Sequence, residues 1–456
     1  MSWSHRVQIS LAGVVAIWGC STDATSPGTL DHEPPPSAVE AASLAAEVRA
    51  LTAGRGIGPL ARPAPVRPAL VELGRVLAFD KELSGNRDIA CMTCHLPGLG
   101  TGDARSLSIG QGATGLGAER VHPDGAFIPR NAPPAFNLHA VETFFWDGRV
   151  HAGARNIATP AGVKVPPAMQ EVFEFGALSA LPLFPVVSRA EMRGEKGENE
   201  LAVADETNPQ QVWRLIMRRL GEIPAYRDLF EAAYPGEQFD QMSFAHASNA
   251  IAGFLIDQFA FNDSPWDRFL AGDDAALSDV ELRGARNFMS ARCSVCHNGP
   301  GLTDNDFHNV AVAQIGPGAG DGPQGTDDFG RMRVTRRPQD RYAFRTPPLR
   351  NVELTAPYGH DGAIVDLRDF IAHYSESDLK LNAYSVLQLE SLLHPTLQQT
   401  FAEILATRDP LLDGVVFDDV TIDEVTAFML ALTDPAARDL ELVIPDRVPS
   451  GLPVDR

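Results

Sequence analysis

The residues of this sequence best suited to chemistry form two copies of one pattern, a pair of cysteines separated by two residues with a histidine directly behind. The copies are Cys91, Cys94 and His95, and Cys293, Cys296 and His297. CxxCH is the attachment pattern of c-type haem: the thiols bond to the porphyrin vinyl groups, and the histidine becomes an axial ligand of the iron. Zinc also binds CxxC pairs, but it needs two further ligands nearby.

Cysteine usage favours haem at both positions. Four of the five cysteines lie in these two attachment runs, which stand far apart in the chain. A single four-thiolate zinc site would be an unusual use of two distant pairs that are each followed by histidine. The sequence therefore predicts two covalently bound haem c groups, with zinc or disulfide bonds as the alternatives.

The composition is that of an ordinary soluble protein. The chain has 456 residues, of which 44% are hydrophobic and 21% are charged, and this length is sufficient for roughly two or three domains. The formal net charge of −21 argues against nucleic acids and anionic membranes as partners.

The first twenty residues have the features of an export signal. Arg6 supplies a weak positive charge, and the apolar stretch from Val7 to Gly19 is too short to span a bilayer as a stable anchor. The stretch ends at Cys20 in "IWGCS", which resembles a bacterial lipobox. Cys20 is thus a candidate lipidation site, and an ordinary signal peptide cut nearby is the alternative. Both interpretations predict a periplasmic protein, and lipidation would anchor it to the outer membrane.

Helical patterns precede both attachment runs. Apolar residues recur at helical spacing over 68–80, and Ser278 is a plausible N-cap for the helix before the second run. A helix followed shortly by CxxCH is how a class I cytochrome c domain begins. Residues 209–270 also indicate helices, whereas 98–165 are rich in Gly and Pro and strand signals are sparse. We expect a mainly α protein with two tandem class I cytochrome c-like haem domains and long ordered loops.

This organisation predicts five parts and one insertion. They are a signal peptide (1–20), a linker with an N-terminal helix (21–60), an N-terminal haem domain (61–275) with an insertion near 160–210, a C-terminal haem domain (276–440) and a tail (441–456). The insertion contains the apolar run "ALSALPLFPVV", which could form a docking surface or a lid.

Several longer runs resemble the bacterial dihaem cytochrome c peroxidase/MauG family. They include "SIGQG", "RNAPPAFN", "FFWDGR", "SRAEMRG", "CSVCHNGPGLTDNDFHN" and "FRTPPLRNVELTAPYGHDG", and the resemblance extends over residues 70–435. It implies an enzyme with peroxide chemistry at the N-terminal haem and electron relay at the C-terminal haem. The implied partners are H2O2 and either a small redox protein, such as a cytochrome c or cupredoxin, or a protein substrate that becomes oxidised.

At the first haem the resemblance assigns two residues. Gln111 stands where many family members carry a histidine that caps the iron; an amide is a poor iron ligand, so we expect an open iron, although His122 in the next loop could reach it. Cleavage of peroxide needs a group that moves a proton between its oxygens. The resemblance gives this role to Glu191, whose pKa burial should raise. The alternative is a surface carboxylate in a polar loop.

At the second haem, helical spacing and the resemblance both indicate Tyr374. Leu367, Phe370, Ile371 and Tyr374 form one apolar helical face, and this helix contains no methionine, the usual sixth ligand of family peroxidases. The MauG-type branch has tyrosine here. A phenolate is a hard anionic donor that favours highly oxidised iron, so the second haem could store oxidising equivalents. The alternative is a core tyrosine whose hydroxyl is hydrogen-bonded elsewhere.

The resemblance also implies an electron bridge and a metal ion. Trp146 in "FFWDGR" is the residue that the family places between the haems. A Ca2+ ion would be held by the side chain of Asn131 and the carbonyls of Thr355 and Pro357, with waters completing its oxygen ligands.

Three functions are compatible with these features. A cytochrome c peroxidase would reduce H2O2 with electrons from a small cytochrome or copper protein. A MauG-like enzyme would instead take electrons from Trp or Tyr side chains of a partner protein. The third is a non-catalytic electron-transfer cytochrome, which an open first iron and Glu191 disfavour. Gln111 and Tyr374 slightly favour the MauG-like enzyme.

Overall fold

The protein is described by a computed structural model that covers residues 38–154, 156–204 and 207–456. The predicted signal peptide, Cys20 and the first part of the predicted linker lie outside the described residues. Within the described ranges, no helix is long and apolar enough to cross a membrane. The predicted fold class is confirmed: the structure is mainly helical, with a few very short strands.

The helices vary from single turns to 17 residues. They are α1 (Ala38–Gly54), α2 (Pro68–Phe79), α3 (Cys91–Cys94), α4 (Pro167–Gln170), α5 (Ala177–Ala180), a π-helical turn (Arg189–Arg193), α6 (Pro209–Gly221), α7 (Pro224–Ala233), α8 (Phe244–Gln258), α9 (Pro265–Leu270), α10 (Asp279–Ser290), α11 (Cys293–Cys296), α12 (Met332–Thr335), α13 (Leu367–Tyr374), α14 (Ser377–Asn382), α15 (Phe401–Ala406) and α16 (Asp419–Leu430).

The strands form two small antiparallel sheets. The first has the order β1 (Thr143–Phe144), β2 (Val150–Ala152) and β3 (Ile157–Ala158), and the second pairs β4 (Phe307–His308) with β5 (Phe344–Arg345).

Both helices that precede an attachment run begin at recognisable signals. Helix α2 starts at Pro68, where the missing N–H is not needed by the helix. Helix α10 follows Ser278, whose backbone N–H donates to the Glu281 carboxylate at 2.6 Å, as in a capping box. Each helix leads within a short distance to the single helical turn that carries the two cysteines of its run.

The same close helix crossing occurs in both halves of the chain. A Cβ atom on Gly74 in α2 would lie 1.9 Å from the carbonyl oxygen of Ala250 in α8, and one on Gly284 in α10 would lie 1.9 Å from that of Glu424 in α16. Only glycine permits this backbone approach. Each attachment run therefore follows the first helix of a tightly crossed pair, which is the internal repeat expected for two tandem domains.

The first and last segments of the described residues each pack in the hydrophobic core of the opposite half. Ala45 and Val48 of α1 are buried in the core of the second half, together with Trp266 of α9. Val443 and Val448 of the tail are buried in the core of the first half. These two segments thus join the two halves together.

The apolar run inside the 160–210 insertion belongs to the first core. Leu178, Ala180, Leu183 and Val186 are at most 3% exposed, and α5 packs against α8. This run is therefore interior packing and does not present an exposed docking surface.

The tail is bound to the first attachment run by polar contacts. The Asp455 carboxylate accepts a hydrogen bond from the Thr93 hydroxyl at 2.5 Å, and Thr93 lies between the two cysteines of the run. The same carboxylate pairs with Lys81 at 2.6 Å, with both side chains largely buried. Ser450 donates to the buried Asp80 at 2.7 Å. The last residues of the chain therefore fix the helical turn that carries Cys91 and Cys94.

We expect Asp455→Asn to destabilise the protein by about 2–3 kcal/mol, because it leaves the largely buried Lys81 ammonium without its anion. Urea unfolding would measure the change in free energy of unfolding. Asp446→Asn is the matched control, since Asp446 lies in the same tail and its carboxylate, 3.4 Å from Arg456, is fully exposed. Equal stability of both variants would contradict the inferred contribution of the tail.

Candidate active site

The two attachment runs have the same local geometry. In the first, Nδ1 of His95 lies 3.1 Å from the carbonyl oxygen of Thr101, and in the second, Nδ1 of His297 lies 3.0 Å from that of Leu302. Nε2 of His95 makes no hydrogen bond with the described residues. A histidine that binds metal usually donates its other ring N–H to such a carbonyl, which fixes the tautomer. Burial lowers the pKa of both imidazoles, so the neutral form that ligates a metal is favoured.

The four cysteines of the runs are free thiols in an apolar environment. Burial raises the pKa of Cys91 to about 11 and that of Cys293 to about 12, and no disulfide joins the four. Among the described residues, one group could hold a metal ion through His, Cys or carboxylate ligands, and it contains a single cysteine, Cys296, with Asp304 and His308. A shared four-thiolate zinc site is therefore not formed by these residues.

A largely apolar cavity lies beside the second attachment run. Its wall contains all three residues of the run and all four residues of the predicted face of α13: Cys293, Cys296, His297, Leu367, Phe370, Ile371 and Tyr374. His373, the neighbour of Tyr374, points elsewhere and lies 2.8 Å from the carbonyl oxygen of Val310 through Nε2. An apolar space beside an imidazole and two adjacent thiols has the donor set that covalent haem requires.

Tyr374 differs from every other tyrosine of the chain. The hydroxyls of the other five all form hydrogen bonds, for example Tyr358 to the carbonyl of Val352 at 3.2 Å. The hydroxyl of Tyr374 forms none with the described residues, although burial raises its pKa. Within the described residues, the structure therefore does not match the interpretation of Tyr374 as a core tyrosine whose hydroxyl is hydrogen-bonded elsewhere. An unpaired phenol facing a cavity is suited to bind a cation there.

Trp146 and the three predicted calcium ligands line the same cavity. The indole Nε1 of Trp146 donates to the backbone carbonyl of Asn131 at 2.9 Å. The side-chain amide nitrogen of Asn131 donates to the carbonyl of Arg105 at 2.9 Å, and its backbone N–H donates to His360. Asn131, Thr355 and Pro357 therefore line one cavity, and Trp146 is fixed beside Asn131.

Glu191 occupies the π-helical turn Arg189–Arg193. The turn is closed by bonds from the backbone N–H of residue i+5, including Arg193 to Ser188 at 2.9 Å. The segment "SIGQG" packs against this turn: Gln111 N–H donates to the Glu191 carbonyl at 3.0 Å, and a Cβ on Gly110 would lie 1.7 Å from the Ala190 carbonyl oxygen. π-Helical turns often occur at functional sites, and this one fixes the backbone of Glu191 next to the first attachment run.

The Glu191 carboxyl group is half-buried near the first pair of thiols. Burial raises its pKa above the ordinary value of 4.5, and the guanidinium groups of Arg149 and Arg130 oppose this rise. Its charge in turn raises the pKa of both Cys91 and Cys94. The carboxyl group therefore lies near the first attachment run, and we call this region the first site. The side chain is thus partly withdrawn from solvent, next to the exposed polar loop that follows Gly194.

The amide of Gln111 is used within the protein. Its Oε1 accepts a hydrogen bond from the backbone N–H of Asn86 at 3.1 Å, and its Nε2 lies 3.5 Å from the Glu198 carboxylate. His122 lies against Gly112, with Nδ1 accepting from the N–H of Asp124 at 3.1 Å. Both residues therefore have partners outside the first site in this conformation.

The sequence analysis missed a buried ion network that joins the two sites. Arg130 makes two hydrogen bonds to Asp328, at 2.6 and 2.8 Å, and pairs with Asp147 at 2.8 Å. Asp147 also binds Arg149, one of the two arginines that act on Glu191. Asp147 and Arg149 belong to the same motif as Trp146, "FFWDGR". Their position in that motif could have indicated the ion network from the sequence.

Comparison with known proteins identifies the family. Residues 68–275 match the family described as di-haem cytochrome c peroxidase. The chain is 32% identical to the cytochrome c551 peroxidase of Pseudomonas aeruginosa, over 70% of this chain and 75% of that protein. This chain belongs to the di-haem cytochrome c peroxidase family.

Other members of the family are similar in sequence and structure. The methylamine utilization protein MauG of Methylorubrum extorquens is 29% identical, over 68% of this chain and 69% of that protein. A solved structure described as a MauG-like protein associated with microbial copper homeostasis superimposes with a TM-score of 0.58 at 27% identity, covering 84% of this chain and 95% of the other. As a di-haem peroxidase family member, this chain is an oxidoreductase, and the family implies two haem groups.

Proposed function

We propose that this di-haem peroxidase family member is a MauG-like enzyme that uses H2O2 to oxidise Trp or Tyr side chains of a partner protein. The observation that carries the proposal is the unbonded hydroxyl of Tyr374 in the cavity beside the second attachment run, called the second cavity below. A phenolate ligand there would stabilise the highly oxidised state of the second site. The enzyme could then hold both oxidising equivalents until the partner supplies two electrons.

The residues of the first site would manage protons. Haem, bound through Cys91, Cys94 and His95, supplies the iron that exchanges electrons with peroxide. The Glu191 carboxylate would take the proton from the inner peroxide oxygen and deliver it to the outer oxygen, which leaves as water. Two electrons and two further protons complete the reduction of H2O2 to two molecules of water. Arg149 and Arg130 oppose the rise in the pKa of Glu191 and so favour the ionised carboxylate.

The second haem would be bound through Cys293, Cys296 and His297, with Tyr374 as a further ligand of its iron. Trp146 would carry electrons between the two sites, since its ring lines the second cavity and its neighbour Asp147 connects to the arginines around Glu191. We also propose that one Ca2+ is bound by Asn131 and the carbonyls of Thr355 and Pro357 at the wall of that cavity.

The second candidate function is that of a cytochrome c peroxidase, with electrons from a small cytochrome or cupredoxin. Its support is the 32% identity to a cytochrome c551 peroxidase. The MauG-like proposal is supported by the similarity to MauG and to a MauG-like structure and by the absence of methionine from α13.

We further propose that the protein is exported, to match the attachment chemistry of haem c, with Cys20 as the lipid attachment site. The mass of the mature N-terminal peptide tests this. A diacylglycerol-modified Cys20 is expected, and an unmodified N-terminus beyond residue 20 would contradict lipidation alone.

The deciding experiment adds H2O2 to the fully oxidised holoenzyme without prior reduction. A MauG-like enzyme should react at once, consume one H2O2 per two electrons, and leave oxidised Trp or Tyr residues in its partner, as read by mass spectrometry of a protein encoded by a neighbouring gene. An enzyme that reacts only after one-electron reduction and then turns over with reduced cytochrome c would contradict the proposal and support the peroxidase.

A further inference from the structure

Arg345 is a buried cation without an anion. It lies on β5 in the wall of the second cavity and is 6% exposed. Its Nη1 donates to the carbonyl of the next residue, Thr346, at 3.2 Å, whereas its buried Nε has no partner. No carboxylate of the described residues forms an ion pair with it. Burying a guanidinium in this way is costly unless an anion compensates it.

Two other arginines with little exposed side chain show what Arg345 lacks. Arg350 pairs with Asp267, and Arg130 pairs with Asp328 and Asp147. Burial lowers the pKa of Arg345 to about 10, with no neighbouring acid to oppose it. The environment of Arg345 therefore lacks one negatively charged group on the side that faces the cavity.

The backbone of Arg345 is held in a defined position. Its N–H donates to the carbonyl oxygen of Trp146 at 2.9 Å, and β5 pairs with β4 through Phe307. The preceding residue, Phe344, stacks on the ring of His360 at 3.6 Å between ring centres. One residue thus presents an unpaired guanidinium to the cavity and holds the Trp146 main chain.

We propose that Arg345 binds a propionate carboxylate of the second haem and thereby fixes Trp146 relative to that porphyrin. The inference rests on haem occupying this cavity, as proposed above. Haem c carries two propionates, and the planar guanidinium matches a carboxylate with two parallel N–H donors. A carboxylate on the cofactor would supply the missing charge.

The other cations in the cavity wall are less suited to this role. His308 already has a carboxylate at each ring nitrogen, with Asp409 at 2.5 Å and Asp304 at 3.1 Å. Arg292 is exposed and donates to backbone carbonyls of Leu411 and Asp413. Arg345 is the buried, unpaired cation among them.

The test compares Arg345→Gln with Arg292→Gln in the holoenzyme. Both variants remove one positive charge from the same cavity wall, and the alkaline pyridine assay establishes that each retains two haems per chain. We expect Arg345→Gln to shift the propionate bending mode in the resonance Raman spectrum. At about pH 9, where the freed propionate stays ionised, the ratio of reduced to oxidised second haem at a fixed potential should fall about tenfold, equivalent to 59 mV. Arg292→Gln should change neither.

If Arg345→Gln loses haem, Arg345→Lys provides the test instead, because it keeps the positive charge. Lysine cannot make two parallel hydrogen bonds, so the Raman mode should shift while the potential stays near that of the unmodified protein. An unchanged Raman mode in both Arg345 variants would overturn the proposal. A potential in the unmodified protein that depends on chloride, with no propionate shift in the variants, would identify a free anion as the partner and also overturn it. None of these readouts depends on whether the electrons come from a partner protein's side chains or from a cytochrome. A failure of this proposal can therefore be distinguished from a failure of the MauG-like proposal.

Discussion

Replacing Glu191 by glutamine should slow the reaction of the oxidised holoenzyme with H2O2 by a factor of about 10² to 10⁴, the usual contribution of a positioned acid–base group. Glutamine has nearly the shape of glutamate but cannot accept the proton of the inner peroxide oxygen. Stopped-flow absorbance at the Soret band would give the rate constant. The haem content and the resting spectrum should remain unchanged, because Glu191 is not placed as an iron ligand.

The pH dependence of the same reaction gives a second signature. Because burial raises the pKa of Glu191 above 4.5, the active carboxylate should be lost as the pH falls through that raised value. The rate should decrease on the acid side at a higher pH than for an ordinary glutamate. In Glu191→Gln this acid limb should disappear.

Glu195→Gln is the control for this prediction. Glu195 lies four residues further along the same polar loop and is exposed, so its replacement should leave both the rate and the pH profile unchanged. If Glu191→Gln reacted with peroxide as fast as the Glu195 variant, the assignment of Glu191 as the proton-transfer group would be wrong.

Replacing Tyr374 by methionine should raise the reduction potential of the second haem by on the order of 100 mV or more, since axial ligands set haem potentials over a wide range. A phenolate stabilises ferric iron, whereas a thioether favours ferrous iron. Spectroelectrochemistry would measure the shift, and a methionine–iron charge-transfer band should appear. The variant should also need prior reduction before it reacts with peroxide.

Tyr358→Phe is the matched control in the same cavity. Tyr358 also lines the cavity, but its hydroxyl donates to the carbonyl of Val352. Its loss should affect stability modestly, by about 1 kcal/mol for one hydrogen bond, and leave the potential nearly unchanged. Equal potentials in Tyr374→Met, Tyr358→Phe and the unmodified protein would exclude Tyr374 as an axial ligand and remove the main support for the MauG-like proposal.

Local patterns in the sequence predicted the elements that carry the chemistry. The CxxCH runs, the helix after Ser278 and the apolar face that includes Tyr374 depend on residues within a few turns of one another. Propensity and capping act at this range. For the same reason, these elements appear in the structure where the sequence placed them.

Features formed by distant segments could not be predicted in the same way. The π-helical turn at Glu191 depends on packing against Gly110 and Gln111, and the lone charge of Arg345 is visible only once its surroundings are known. The apolar run at 177–187 has the same composition whether it is exposed or buried, so the sequence left its role open. Its burial follows from its contact with α8.

The packing of the first and last described segments in opposite cores restricts how this enzyme can be divided or shortened. A fragment that stops near residue 440 would retain both CxxCH runs, but the turn between Cys91 and Cys94 would lose the carboxylate of Asp455, and Val443 and Val448 would no longer fill the first core. During synthesis, the surroundings of the Cys91–Cys94 turn are therefore complete only after residues 443–455 have been made. Affinity tags or fusions placed directly after residue 456 would perturb the half that holds Cys91 and Cys94 rather than the half to which they are closest in sequence.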